Sequence, residues 1–245
     1  MKKKYLISIV TINKNSGSSI QRTINSLKKA KSDPDIELIF IDGSSSDNSL
    51  DLAREFYKPK NLVTELDNGI YPAMNKGLHL SHGKYVLWLN AGDELISDDF
   101  DKVKTILKTS QADLISFSLN LLDEQDGSLK YTWIPKKNDL PHKTLPHPST
   151  FFKRDYFLML GGYHDAFKIV GDREAFLRMY FSGCSIDIGK QFIANFYLGG
   201  ISSTLECRIE DLTLSKYYGL IPTFKYYRRF IKLHLRNIKK KIIGF

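Results

Sequence analysis

Cysteine is scarce in this 245-residue chain, which contains only Cys184 and Cys207. Two thiols exclude a disulfide framework and a cysteine metal site, and a reducing cytoplasm is the compartment expected. Long apolar runs are absent too: none reaches the ~18 residues that mark a membrane-spanning helix. The lysine-rich start, Met1-Lys2-Lys3-Lys4-Tyr5, runs into residues 6–12 without a small-residue cleavage site, so it reads as a first strand and not as a signal peptide. The first βα turn, Asn13-Lys14-Asn15-Ser16-Gly17-Ser18, lacks GxGxxG, and no GK[ST] triplet occurs. A dinucleotide fingerprint and a P-loop are therefore excluded. Acidic side chains are missing from one region, residues 216–245, which hold nine Lys/Arg and no Asp or Glu. The first 215 residues balance 27 basic against 27 acidic side chains, so the net charge of +9 belongs to the C-terminal segment. A neutral body argues against a nucleic-acid partner, whose basic patch would lie on the fold itself.

What is present is an alternation of strand and helix patterns, which predicts an α/β fold with a largely parallel sheet. Residues 5–12, 36–41, 62–66 and 84–89 read as strands. Ile20, Ile24 and Leu27 predict a helix over 16–31, and Leu50, Ala53 and Phe56 one over 47–57. Further helices are expected over 70–80, with Pro72 in the first turn, over 97–109, capped by Ser97 or Asp98, and over 171–181. In the second half, strands are expected at 114–122, 129–134, 150–152, 185–188 and 191–196, with turns at Asp126-Gly127 and Gly189. Residues 135–148 read as a loop. The whole reads as one domain over 1–212, followed by a helical tail over 213–245.

Three carboxylates stand where chemistry is expected. Asp42 closes the second strand, where it either shapes the Gly43 turn or accepts hydrogen bonds from a nucleoside at the strand's carboxyl end. Asp93 follows the strand at 84–89. It is either a cap or an oxygen ligand for a hard divalent cation whose shell substrate phosphates complete. Asp172 precedes a helix and suits an N-cap. His147 is a lone histidine, a residue type more often structural than catalytic.

The motifs around these residues resemble those of family-2 glycosyltransferases. Val10-Thr11-Ile12-Asn13 resembles the family's opening strand, and Phe40-Ile41-Asp42-Gly43-Ser44-Ser45-Ser46-Asp47 its second-strand motif. Glu65-Leu66-Asp67-Asn68-Gly69-Ile70-Tyr71 and Ala73-Met74-Asn75-Lys76-Gly77 resemble a subgroup that builds bacterial surface polysaccharides. Leu89-Asn90-Ala91-Gly92-Asp93 stands in the place of the DxD-type motif, and Gly171-Asp172-Arg173-Glu174 in the place of the ED-containing helix start. His147-Pro148-Ser149-Thr150-Phe151-Phe152 resembles the strand lining the acceptor pocket. Gly161-Gly162-Tyr163-His164-Asp165 resembles an architectural turn, and Gly199-Gly200-Ile201-Ser202 a loop that folds over the donor.

The resemblance implies a GT-A fold: a Rossmann-like nucleotide-binding half with a mixed central sheet, plus C-terminal amphipathic helices. The donor half would cover about 1–110 and the acceptor half about 111–212. It implies Asp172 as catalytic base, Thr11, Asn13, Asp42, Asp67 and Asn90 at the donor nucleotide, Asp93 on Mn²⁺ or Mg²⁺, and His147 and Glu174 at the acceptor. The chain departs from the pattern at Asn90 and Gly92, where Asp is usual, at Pro72, where Asp is frequent, and at Gly171, where Glu is usual. No His lies between 164 and 234, so a later histidine metal ligand is not expected. Arg173 and Arg178 would bind phosphate or pair with a carboxylate.

The tail sets Phe224, Tyr227, Ile231, Leu235, Ile238 and Ile242 at helical spacing between Lys225, Arg228, Arg229, Lys232, Arg236, Lys239 and Lys240. This basic amphipathic pattern fits either a helix packed on the domain or an anchor on an anionic membrane surface. The expectation is an inverting, metal-dependent transferase at the inner face of the cell membrane. It would move sugar from a nucleotide-diphosphate donor, UDP first, to a hydroxyl of a glycan or lipid-linked saccharide. A catalytically silent membrane- or polysaccharide-binding protein and a sugar-phosphate nucleotidyltransferase are the alternatives.

Overall fold

Period-two alternation along β1 (Tyr5–Asn13) sends Ile7 and Ile9 to one apolar cluster and Val10 and Ile12 to another, with a helical layer over each. A strand buried on both faces belongs at the centre of an α/β sheet. The computed structural model describes residues 5–96, 98–199 and 204–243, with side chains to residue 235. Ser97, offered as a cap, and Gly200-Ile201-Ser202 of the expected donor-covering loop lie outside the described residues.

β1 pairs in parallel with β2 (Ile36–Asp42) and β4 (Gly83–Trp88), and β2 carries β3 (Leu62–Thr64) in parallel on its outer side. The remaining strands are β5 (Glu94–Leu95), β6 (Leu114–Asp123), β7 (Leu129–Trp133), β8 (Thr150–Lys153) and β9 (Ile186–Leu198). The sheet runs in the order β3-β2-β1-β4-β8-β6-β9-β5, with β7 paired to β6. β8 is antiparallel to both its neighbours, whereas β6 and β9 run parallel, so the sheet is mixed as expected.

Helices α1 (Ser19–Ser26), α2 (Lys28–Lys31), α3 (Ser49–Phe56) and α5 (Phe100–Thr109) bury Ile20, Ile24, Ala30, Leu50, Val103 and Leu107 on one face. Helices α4 (Ile70–Leu80), α6 (Arg154–Met159) and α7 (Gly171–Phe181) bury Tyr71, Met74, Phe157, Phe176 and Met179 on the other. There the buried Trp88 ring is met edge-on by Phe152, Phe157 and Tyr163, with centroids 5.0, 5.8 and 5.1 Å away. Edge-to-face packing adds roughly 0.5–1.5 kcal/mol per pair beyond the area buried.

The structure revises several expected elements. The helix over 16–31 divides at Leu27, which ends α1 and precedes α2. Helix α6, too short for a clear apolar period, was not anticipated. The two strands expected around Gly189 are one strand, β9. Gly189 is not a turn there: a Cβ on it would stand 2.1 Å from Cε1 of Phe117, so glycine admits the Phe117 ring. The boundary expected at residue 212 falls inside α8 (Leu205–Tyr217), whose buried Leu214 packs with Val170 and Leu177. Helix α9 (Thr223–Ile243) follows.

Gly189→Ala is expected to cost about 1–3 kcal/mol, the scale of an overpacked core. Thermal unfolding should show the loss, and adding Phe117→Leu should cost less than the two single changes summed. Additive costs would show that the ring contact does not constrain Gly189.

Candidate active site

The strand order reverses between β1 and β4, and ligands of open α/β sheets bind at that switch, beyond the strands' carboxyl ends. A cleft of about 340 Å³ opens there, lined by Asn13, Lys14 and Ser16 after β1, Gly43 after β2, Asp67, Gly69 and Ile70 before and in α4, and Asn90 and Ala91 after β4. Lys14 supplies a cation to this lining.

The loops that frame the cleft are bonded to one another. Asn13 Nδ2 donates to Asp42 Oδ1 at 2.8 Å and to Ser49 Oγ at 2.9 Å. Asp42 also accepts from the Ser45 amide at 2.9 Å and the Ser45 hydroxyl at 2.6 Å. Across the gap Asp47 accepts from the Gly17 amide at 2.7 Å, and Asn15 Oδ1 from the Ser46 amide at 2.8 Å. Asn15 and Ser44 hold φ values of 49° and 59°, the left-handed region that these tight loops require.

Asp67, Asn13 and Asn90 line the cleft, and two of them present unpaired oxygens. Asp67 Oδ1 is held by Lys76, which also pairs with Glu65 at 2.5 Å, whereas Asp67 Oδ2 is buried without a partner among the described residues. Asn90 Oδ1 is buried and unpaired in the same sense. A buried acceptor left unpaired costs about 1–3 kcal/mol, so such atoms mark places where a ligand completes the structure.

Asp42 and Thr11 are placed differently. Asp42 is fully buried behind the lining, and its carboxylate organises Asn13 and the Ser45 turn. Thr11 is also fully buried, and its hydroxyl accepts from Tyr57 at 3.1 Å. Thr11 sits among the β1 residues that face α3, away from the cleft.

The turn at 90–93 is clamped by α1. Thr23 Oγ1 donates to the Asp93 carbonyl at 2.7 Å and accepts from the Gly92 amide at 2.9 Å. Arg22 donates from Nε to the Gly92 carbonyl at 2.9 Å, pairs with Glu124 and lies 3.5 Å from the Tyr197 ring centroid. Asp93 is buried with Oδ2 unpaired among the described residues, and burial pushes its carboxyl up to about 8. No cluster of three His, Cys, Asp or Glu suited to a metal is found among the described residues.

Asp172 lies half-buried in the first turn of α7. Val170, not Asp172, occupies the N-cap, and Asp172 Oδ1 accepts instead from the Arg173 amide at 2.8 Å. The Tyr71 hydroxyl lies 3.4 Å from the same oxygen and donates to the Ile169 carbonyl. Gly171 explains itself here: a Cβ would meet the Tyr71 ring at 2.7 Å, so the usual glutamate has no room. Tyr71 belongs to the first turn of α4, whose Ile70 and Ala73 line the cleft. One helical turn thus touches both the cleft and Asp172.

Two residues expected at the acceptor are elsewhere. His147 is buried, stacks on Trp88 at 5.7 Å and shares a 2.7 Å hydrogen bond with the Tyr163 hydroxyl. Burial holds its imidazole below the ordinary value. It is placed as a core histidine. Glu174 is also buried; it pairs with Arg178 through two 3.0 Å bonds and accepts from the Tyr218 hydroxyl at 2.9 Å. Its carboxylate is consumed in joining α7 to the chain after α8. Arg178 further donates to the Leu160 and Gly162 carbonyls, and Arg173 pairs with Asp211. The Gly161-Gly162-Tyr163 turn is architectural: Asn75 exchanges two 2.8 Å bonds with the Tyr163 backbone.

Tyr71, Lys14, Lys76, Arg22 and Thr23 were not singled out by sequence. Tyr71, Lys14 and Lys76 stand inside quoted motifs, which marked their region but not their contacts. Arg22 and Thr23 carried no signal, because a polar residue on a helix reads as solvated until a turn 69 or 70 residues away folds onto it.

Comparison with known proteins agrees with this geometry. The profile of Glycosyl transferase family 2 matches residues 8–167. A PGL/p-HBAD biosynthesis glycosyltransferase of Mycobacterium bovis is 25% identical over 226 residues, 85% of each chain. TuaG of Bacillus subtilis, a glycosyltransferase provisionally assigned to teichuronic acid biosynthesis, is 29% identical over 130 residues, 51% of this chain and 50% of that one. Among solved structures, S. aureus TarS 1-349 in complex with UDP-GlcNAc superposes with a TM-score of 0.69 at 16% identity, covering 89% of this chain and 67% of that one. Of the chain in another S. aureus TarS 1-349 structure, this chain spans 64% of the length. At such identity the likeness is one of fold, the GT-A arrangement. With its profile matched from β1 through α6 and its cleft at the sheet's switch point, the chain belongs to glycosyl transferase family 2.

Proposed function

We propose that this family-2 glycosyltransferase inverts the anomeric centre of a nucleoside-diphosphate sugar as it transfers the sugar to a hydroxyl of a glycan or lipid-linked saccharide in bacterial surface polysaccharide synthesis. The observation that carries the reading is the shared first turn of α4. It lines a cleft with unpaired oxygens on Asp67 and Asn90, and on its other side it meets the half-buried Asp172. The names of the mycobacterial and Bacillus relatives support the surface-glycan assignment, and the UDP-GlcNAc complex of TarS supports UDP as the nucleotide.

In this reading Asn13, Asp67 and Asn90 hold the nucleoside and sugar, and Lys14 meets the diphosphate charge. Asp42 acts behind them by fixing Asn13. Asp172 takes the proton of the acceptor hydroxyl as its oxygen bonds to the anomeric carbon, while the bond to the diphosphate breaks on the opposite face. The proton ends on Asp172, and the nucleoside diphosphate leaves with the electron pair.

The carboxylate oxygens of Asp93 are hard donors of the kind Mg²⁺ or Mn²⁺ selects, and Oδ2 lacks a partner among the described residues. They fit a cation whose shell the diphosphate completes, and such an ion supplies charge neutralisation to the leaving group.

No helix among the described residues is long and apolar enough to cross a membrane. On α9, Phe224, Ile231 and Leu235 are 71%, 55% and 61% exposed, and Lys225, Arg228 and Lys232 lie on the same helix. We assign this stripe to an anionic membrane surface, where each basic residue contributes about 1 kcal/mol. The enzyme would then work peripherally at the cytoplasmic face.

Asp172→Asn should keep UDP affinity and fold, since Asn retains the acceptor for the Arg173 amide. Sugar transfer should fall by about 10²-fold or more, the scale of a lost general base. Near-normal turnover would remove Asp172 from that role.

Asp93 yields a pH prediction. Its carboxyl is raised from 3.8 to about 8 by burial, so the folded state holds a proton that the unfolded state releases. Stability from this group is fully present below 3.8 and is lost as pH rises to about 8. Metal-free wild type should therefore lose stability relative to Asp93→Asn across that window in thermal unfolding. Binding of Mn²⁺ in the presence of UDP should release the proton and tighten with pH, by up to about tenfold per unit below 8. Mn²⁺ affinity independent of pH and equal in Asp93→Asn would exclude Asp93 as ligand.

Replacing Phe224, Ile231 and Leu235 by Ser should reduce sedimentation with anionic vesicles at least ~10-fold without changing UDP affinity. Vesicle binding by the unaltered chain should weaken as salt shortens the Debye length from ~10 Å at 0.1 M. Equal sedimentation of both proteins would show that the stripe does not meet lipid.

A further inference from the structure

Asp172 and Arg173 are consecutive in a helix, so their side chains leave α7 about 100° apart. Asp172 meets Tyr71 on the donor side. Arg173 turns the other way and pairs with Asp211 on α8. Beyond that pair lies a second cleft, of about 350 Å³, whose lining includes His142, Lys143, Thr144, Arg173, Ser215 and Arg229.

The charges in this cleft are unbalanced. Its one carboxylate, Asp211, is engaged by Arg173. Lys143 has a loose 3.6 Å pairing with Asp139 and is 75% exposed. Arg229 has no carboxylate partner among the described residues. The Ser215 hydroxyl adds a neutral donor to the lining, whereas the Thr144 hydroxyl donates to the Leu145 carbonyl at 3.4 Å. A hollow of about 300 Å³ continues along α8 and α9, with Arg208, Arg229 and Lys232 in its wall. Cations and a hydroxyl converging on a concave space with one neutralised carboxylate make a site for a phosphate oxyanion.

Position narrows the source of the phosphate. Arg229 sits on α9 two residues from each of Tyr227 and Ile231, so it faces α8 from the side of the helix opposite that exposed apolar stripe. The cleft therefore joins the first turn of α7, one residue from Asp172, to the helix assigned to the membrane surface. We propose that it binds the phosphate or diphosphate that links the acceptor saccharide to its lipid carrier, fixing the acceptor with its hydroxyl end toward Asp172. This inference rests on the glycosyltransferase reading above for the identity of the acceptor, but the anion site stands on its own residues.

The test uses the full chain, with geranyl diphosphate as a soluble probe in EDTA, followed by calorimetry. Lys143→Gln/Arg229→Gln should weaken geranyl diphosphate at least tenfold, and Arg229→Lys alone should retain most of the affinity. UDP affinity in Mn²⁺ should be unchanged, because neither residue lines the donor cleft, and thermal unfolding should confirm the fold. Equal affinity for geranyl diphosphate in wild type and the double variant would overturn the proposal. A double variant that keeps geranyl diphosphate but loses tenfold in binding to phosphatidylglycerol vesicles would overturn it as well, because the cations would then read bulk head groups. If wild type binds no UDP yet the tenfold loss of geranyl diphosphate is seen, the glycosyltransferase reading fails while the anion site holds.

Discussion

The packing of Tyr71 across Gly171 is the contact on which the arrangement of this site depends. The ring is buried, leaves no room for a Cβ on Gly171, and sends its hydroxyl to the Ile169 carbonyl and toward Asp172. Burial and the neighbouring Asp172 charge both raise the phenol's pKa, so it remains a hydrogen-bond donor. Because Tyr71 opens α4 and Gly171 opens α7, two helix starts from different parts of the chain are locked at one point. Reacting groups must be held within about 0.5 Å of their productive geometry, and rigid helices packed at their ends hold such positions better than loops do.

The same logic extends outward from that point. Asn75, one turn along α4, fixes the Gly162–Tyr163 turn, and the Tyr163 hydroxyl meets His147 beneath the Trp88 ring. Glu174 and Arg178 on α7 tie in the Leu160 carbonyl and Tyr218. On the opposite side of the sheet, α1 grips the turn at 90–93 through Thr23 and Arg22. Polar groups in these ties are satisfied, whereas one oxygen each of Asp67, Asn90 and Asp93 lacks a partner among the described residues. Satisfied groups stabilise the fold, and unsatisfied ones cost stability that a bound ligand would restore.

Much of the first half of the chain was legible because its signals are local. Strands β1, β2 and β4 are mostly apolar segments ending in polar turns, and α4 was anticipated with Pro72 in its first turn. The second half was less legible. Gly189 reads as a turn to any local rule, yet it lies within β9 because the Phe117 ring needs its empty side. Helix α6 has only six residues, too few for a period to show. Among candidate site residues, Asn13, Asp67 and Asn90 were named through the resemblance of their motifs and line the cleft, while no local pattern announced the contacts of Thr11, His147 and Glu174.

By itself the sequence determined the alternation of elements, the mixed α/β class, the ordered motifs of family 2 and the segregation of positive charge into the last thirty residues. These are consequences of side-chain period and composition, which act over neighbouring residues. Only the tertiary structure decided which polar side chains remain available for chemistry. Asp42, His147 and Glu174 find partners 16, 29 or 44 residues away, which no local pattern announces. Burial then made the difference between residues of one type. It left Asp172 half-exposed beside Tyr71, closed Glu174 into an ion pair, and raised the Asp93 carboxyl by withdrawing it from water.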